Sequence, residues 1–66
     1  MQCIVNGQPM ELPEHTTVAD LIGRLGLSEA ICAAEVDHEL IAKRDRAERV
    51  LRAGERVEIV SLVGGG

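Results

Sequence analysis

The stretch Arg56-Val57-Glu58-Ile59-Val60-Ser61-Leu62-Val63-Gly64-Gly65-Gly66 decides how this chain is read. Its β-branched, alternating part predicts a strand over residues 56–62, with Val57 and Ile59 on one face and Val60 and Leu62 on the other. The glycines that follow offer no side chain to pack and cost backbone entropy, so they extend neither a strand nor a core. Three extended residues span roughly 10 Å, enough to thread a narrow channel and present a terminal carboxylate inside a partner's active site. A frayed end is the plainer reading of the same glycines, and composition alone does not separate the two. The expected division is a folded domain over residues 1–62 and a flexible glycine tail over 63–66.

Working back from the strand, Ala53-Gly54-Glu55 forms a tight turn, and residues 43–50 are polar with weak helical character, one turn or a 3₁₀ segment. Residues 39–41 read as a short strand, Asp37-His38 as a turn, and 31–36 as a strand with Cys32, Ala34 and Val36 on one face. Thr17-Val18-Ala19-Asp20 is a helix start, with Thr17 as N-cap and an acid three residues on, in the manner of a capping box. Val18, Leu21, Ile22 and Leu25 fall at i, i+3, i+4 and i+7, one apolar helix face, and Gly26 is placed to end it. At the front, Asn6-Gly7 between residues 1–5 and 8–12 predicts a β-hairpin, because both turn positions must accept positive φ. Met1, Cys3 and Val5 share one face there, Gln2, Ile4 and Asn6 the other, and Pro9 marks the second strand as a sheet edge. A two-turn helix cannot stand alone and must cross one face of the sheet. The order therefore predicts an α+β fold of the β-grasp type: a mixed sheet of four or five strands, the first and last paired at its centre, with one helix packed across one face.

Composition narrows the function. The chain has 66 residues and no aromatic side chain, which excludes base-stacking platforms and aromatic cages. A chain this short buries only about 60% of its unfolded surface, so the core must be filled closely by small aliphatic residues. Residues 1–40 set seven acids against Arg24, whereas Lys43, Arg44, Arg46, Arg49, Arg52 and Arg56 face four acids in the remainder, for a net charge of −4. An acidic body is not a nucleic-acid binder, and the basic run reads as a solvated face or as a surface that steers an acidic partner. Cys3 and Cys32 sit in apolar surroundings and belong to no paired motif, so both read as small buried hydrophobes. No leader or long apolar run suggests secretion or membrane insertion, and the expected location is cytoplasmic.

The usual catalytic signatures are missing. There is no GxSxG, HExxH, paired CxxC or phosphate-cradling glycine loop, and His15 and His38 lie 23 residues apart in expected loops. The expectation is a protein without metal or bound cofactor of its own, acted on by enzymes. What remains is the terminus, an unhindered glycine carboxylate: if a partner activates it with ATP to an acyl-adenylate, a sulfur nucleophile can displace AMP and leave a thiocarboxylate. The partner then supplies the nucleotide site and the transition-state electrostatics. Beside the tail, Val60, Leu62 and Val63, with Ile4 next to them across the central pairing, are expected to form an apolar docking patch.

Four segments carry a resemblance: Val5-Asn6-Gly7, Thr17-Val18-Ala19-Asp20-Leu21-Ile22, Ile41-Ala42-Lys43-Arg44-Asp45, and Gly54 onward through the strand to Gly64-Gly65-Gly66. Together they resemble the ThiS family of sulfur carriers of thiamin biosynthesis over essentially the whole chain. The resemblance implies a ubiquitin-like β-grasp protein whose Gly66 is adenylated by a ThiF-type enzyme and converted to a thiocarboxylate with sulfur from a donor system. Gly64 and Gly65 would thread the partner active sites. The sulfur would pass to thiazole synthase (ThiG), which builds the ring from deoxyxylulose phosphate and a glycine-derived imine. The chain departs from the family pattern at Val36-Asp37-His38, where Val-Asn-Gly is common, and at Ala47 and Leu62, where aromatic residues often stand. A carrier for molybdopterin or another sulfur pathway, a ubiquitin-like modifier, and an inert interaction domain are the alternatives.

Overall fold

Asn6 and Gly7 turn the chain with φ of 50° and 81°, the pair of positive angles that a two-residue type I′ hairpin requires. In the computed structural model, which describes residues 1–62, this turn joins β1 (Gln2–Val5) to β2 (Gln8–Glu11). Val5 stands opposite Gln8. Pro9 lies in β2 at the edge of the sheet, where a missing donor costs no ladder bond. The tail expected over 63–66 lies outside the described residues.

Helix α1 (Val18–Arg24) is fixed at both ends by side chains and backbone together. The Thr17 hydroxyl accepts from the Asp20 amide at 3.0 Å, and the Asp20 carboxylate accepts from the Thr17 amide at 3.0 Å, so the shorter acid still closes the capping box. The remaining first-turn amides donate to a distant segment: Val18 N–H to the Arg49 carbonyl at 3.0 Å and Ala19 N–H to the Arg46 carbonyl at 3.1 Å. At the other end Gly26 takes φ 74°. Its amide donates to Gly23 O at 3.0 Å and that of Leu27 to Ile22 O at 3.1 Å, the paired bonds of a Schellman ending. Val18, Leu21 and Ile22 are fully buried, and Leu25 packs half-exposed against the same core.

The strand expected over 31–36 is shorter in the structure. Residues Glu29–Ile31 form a 3₁₀ turn whose Ala30 amide donates to the Ser28 hydroxyl at 3.3 Å, and β3 (Cys32–Val36) begins only after it. Asp37 and His38, at φ 49° and 71°, form a second two-residue turn into β4 (Glu39–Leu40). Ile41, expected as part of that strand, still donates to Ala34 O at 2.8 Å but is buried in the core.

The last strand, β5 (Arg56–Ser61), occupies the middle of a five-stranded sheet of order β2-β1-β5-β3-β4. It runs parallel to β1, with Val5 opposite Val57, and antiparallel to β3 from Val36–Val57 to Cys32–Ser61. The helix covers one face, where Cys3, Val5, Cys32, Ala34, Val36, Val57 and Ile59 form the core with Leu12, Ile41 and Leu51. This is the α+β, β-grasp arrangement expected from the element order. Among the described residues, no helix is long and apolar enough to cross a membrane.

The basic segment is only in part the solvated face expected of it: Lys43, Arg44, Arg52 and Arg56 are exposed, while Arg46 and Arg49 are not. A 3₁₀ turn, Lys43–Asp45, is followed by Arg46, which is only 2% exposed. Its guanidinium donates to Glu29 O at 2.9 Å and Cys32 O at 2.7 Å and touches the Cys32 sulfur at 3.8 Å. Arg49 forms an ion pair with Glu55 at 2.6 Å, and the Glu55 carboxylate also accepts from the Arg52 amide at 2.7 Å. Arg44, Arg52 and Arg56 alone behave as solvated charges. Sequence spacing could not reveal this, because the acceptors are main-chain carbonyls from another part of the chain.

Two expectations follow. A histidine at φ 71° is held in the left-handed region that costs an L-residue about 1–2 kcal/mol. His38→Gly should therefore raise stability by roughly 0.5–1 kcal/mol, read as a higher urea midpoint at unchanged slope. Partial burial opposes ionisation of Glu55, but the Arg49 and Arg52 bonds outweigh it and hold its pKa below the ordinary carboxylate value. A depressed acid contributes stability above its unfolded pKa, near pH 4, and loses it as the pH falls through the folded value. Wild type should thus lose more stability than Glu55→Gln between pH 6 and pH 3 (roughly, bracketing that range), measured by urea unfolding across pH.

Candidate functional site

The helix covers only one face of the sheet, and β5 places the rows of the other. Alternation sends Arg56, Glu58 and Val60 outward, with Leu62 following them, while β3 contributes Ala33 and Glu35 to the same side. Register then decides the neighbours: Val60 stands opposite Ala33, and the Leu62 amide donates to Ile31 O at 2.6 Å. Val60 is 54% exposed, Leu62 63% and Ile31 39%, so these three and Ala33 make an apolar patch at the end of β5.

Ile4 shares this open face but does not join the patch. Parallel pairing sets it opposite Arg56, four residues before Val60, which is roughly 13 Å along a strand. Between them lies a charged row: Glu58 faces Glu35 across the β3–β5 pair, with Leu40 beyond Glu35 on β4. Like charges directly opposite one another repel, at a cost of a few tenths of a kcal/mol or more. Of the residues expected to dock a partner, the structure therefore brings Val60 and Leu62 together and leaves Ile4 apart. Val63, and the reactive Gly66 with its lead Gly64 and Gly65, lie outside the described residues.

Ile31 and Ala33 were not anticipated as part of the patch. Alternation along residues 31–36 assigned both to the face away from the core, but only the antiparallel register shows that they meet Val60 and Leu62. Asp37 pins that register at its far end: its amide donates to Arg56 O at 2.7 Å and its carboxylate accepts from the Arg56 amide at 2.9 Å. On the other side of β5 the Asn6 side chain accepts from the Ile59 amide at 2.8 Å, which extends the parallel pairing past the end of β1. Two turn residues thus hold the central strand from both flanks.

Neither thiol faces the patch. Cys3 and Cys32 are free and buried. Burial, and then the nearby Glu55 carboxylate, push the Cys3 thiol above its ordinary pKa, and it donates to Arg52 O at 3.3 Å. A protonated, enclosed thiol is a poor nucleophile. His15 and His38 are both exposed, on separate turns. A surface cavity of about 460 Å³ is lined by Pro13, Glu14, His15, Thr16, Asp20 and Arg24, with nothing from β5. Its Asp20 is already bound in the capping box.

Comparison with known proteins agrees with this geometry. A family model described as the ThiS family matches residues 3–66. A thiazole synthase of Paramagnetospirillum magneticum is 32% identical over 66 residues, covering all of this chain and 20% of that protein, so the chain spans about a fifth of that relative's length. The crystal structure of the thiamine biosynthesis protein ThiS from Geobacter metallireducens matches with a TM-score of 0.83 and 26% identity, both chains fully covered. A solution NMR structure of a thiamine biosynthesis protein from the same organism matches at 0.82 and 26%, over 100% of this chain and 88% of the other. The chain belongs to the ThiS family.

Proposed function

We propose that the chain is a protein co-substrate whose Gly66 carboxylate carries sulfur for assembly of the thiazole ring of thiamin. In the first step a carboxylate oxygen of Gly66 attacks the α-phosphorus of ATP held by a ThiF-type adenylating enzyme, and pyrophosphate leaves. In the second a sulfide-level nucleophile from a donor system attacks the acyl carbon, the acyl–phosphate bond breaks, and AMP departs with the electron pair. The product is a thiocarboxylate, and no net oxidation or reduction of the carrier has occurred. Transfer of that sulfur to a thiazole synthase would complete the cycle. ATP is bound by the activating partner, and the carrier holds no cofactor itself.

The observation that carries this reading is the bare apolar patch of Ile31, Ala33, Val60 and Leu62, at the end of the strand that leads into Gly64-Gly65-Gly66. A docking face beside the acyl group converts binding energy into placement of the reacting carbon. Family membership supports the carrier role. The choice of thiazole over molybdopterin synthesis is supported by a thiazole synthase that contains a stretch similar to the whole chain. It is also supported by solved relatives that are thiamine biosynthesis proteins.

Incubation with ATP, an adenylating enzyme and a sulfide source, followed by intact-mass measurement, should show exchange of one oxygen for sulfur. Conjugates of high mass would identify a modifier instead, and an unchanged mass would identify an inert domain. Removal of Gly66 should abolish loading and leave the thermal midpoint in place; loading that survives the deletion would refute the role of that residue. Val60→Asp sets a charge in a contact that must desolvate. It should raise the KM for carrier in the adenylation reaction about tenfold or more, with kcat little changed.

A further inference from the structure

Arg46 is the residue whose chemistry the fold explains least. It is 2% exposed, no carboxylate lies within ion-pair distance of it among the described residues, and its Nε has no hydrogen-bond partner. Burying a charge without a counter-charge is costly unless its N–H groups are hydrogen-bonded, so the partners of this guanidinium must account for its place. Its two remaining nitrogens, however, are directed at one short segment. Nη1 reaches Glu29 O at 2.9 Å and Nη2 reaches Cys32 O at 2.7 Å. Lys43 Nζ reaches Ala30 O at 3.0 Å.

The one carbonyl left between them is that of Ile31, and it accepts from Leu62 at 2.6 Å. Every carbonyl from Glu29 to Cys32 is thereby engaged, three by the basic segment and one by the last of the described residues. The backbone of Arg46 is tied down in turn, because its carbonyl accepts from Ala19 N–H at the start of α1. A planar fork that spans two carbonyls fixes both position and direction, which a single ammonium cannot do. The Ile31 side chain, part of the open patch, sits on the segment so held.

We propose that Arg46, assisted by Lys43, is a positioning residue that clamps the segment 29–32 and thereby fixes Leu62 beside Ile31 at the end of β5. The functional half of this inference rests on the carrier reading given above. The clamp places the root of the acyl-bearing segment in a fixed relation to the docking patch. Loss of it loosens the Ile31 and Leu62 edge of the patch and misplaces the carboxylate, and small misplacements of a reacting group slow a step strongly. Arg46 therefore acts chiefly on kcat, with a smaller effect on KM through Ile31 and Leu62, where Val60 acts on KM.

The test compares wild type with Arg46→Met, Arg46→Lys and Lys43→Ala by amide hydrogen exchange and by steady-state adenylation, measured as pyrophosphate released by the adenylating enzyme. Arg46→Met should speed exchange at Leu62 about tenfold relative to Ile59 in the same molecule, and lower kcat about tenfold with a smaller rise in KM. Arg46→Lys, which restores one of the two carbonyl contacts, should recover part of both effects. If Arg46→Met does not fold, Lys43→Ala answers the same question, with a smaller rise at Leu62 and a smaller fall in kcat. Unchanged Leu62 exchange in a folded variant overturns the proposal. So does a raised exchange rate with unchanged kcat, or a loss of activity confined to KM. Wild-type protein that is never adenylated would refute the carrier reading instead, and the exchange measurement would still decide the clamp.

Discussion

The constraint on which the rest depends is that β5 has neighbours on both sides. Its backbone groups are taken up by a parallel partner, β1, and an antiparallel one, β3, and its side chains divide cleanly between a covered and an open face. A strand so placed cannot slip by one residue without moving Val57 and Ile59 out of the core and Glu58 into it. Two side chains reinforce the register where the main-chain ladders end. Asn6 and Asp37 both occupy left-handed turn positions, and each lends a side-chain oxygen to an amide of β5. Turn geometry and strand register are therefore set by the same residues. The position of the open patch follows from them, since Val60 meets Ala33 only in this register.

A chain without aromatic residues has to complete its core by other means. The buried set is almost wholly aliphatic, with two cysteines used as small apolar fillers. The segment following β4 then closes the structure through hydrogen bonds as well as through its buried Ile41 and Leu51. Carbonyls of Arg46 and Arg49 satisfy first-turn amides of α1, Leu51 is buried and its amide donates to Thr16 O at 2.8 Å, and Cys3 donates to Arg52 O. An exposed helix terminus would otherwise leave those amides to water. The segment reads as irregular because its regularity lies in its partners.

This explains which parts of the fold could be read from the residues alone. Asn6-Gly7, the Thr17–Asp20 box and Gly26 announce themselves because each rests on local geometry: a positive φ, a cap three residues away, a left-handed exit. The alternation of β5 is equally local. The ThiS resemblance also rested on such stretches, and the sheet order and family model agree with it. The roles of Arg46, Ile31 and Ala33 depend on residues between 14 and 31 positions distant, and no periodicity carries that information. Ile4 illustrates the same limit. Its face was legible and its register was not, so it stands beside Arg56 instead of Val60.

The register also argues that only one end of the open face is suited to docking. Moving along it from Ile4, the rows run from Arg56 to the facing pair Glu35 and Glu58, and only then to Ala33 with Val60 and Ile31 with Leu62. A partner covering the whole sheet would have to desolvate two apposed carboxylates, which is costly unless each is matched by a cation. A partner that covers only the apolar end avoids this cost and leaves the acids as a solvated rim, the division found in ordinary protein interfaces. Association by that route is anchored on Ile31, Ala33, Val60 and Leu62, at the end of β5. The rest of the sheet is left to hold β5 in place.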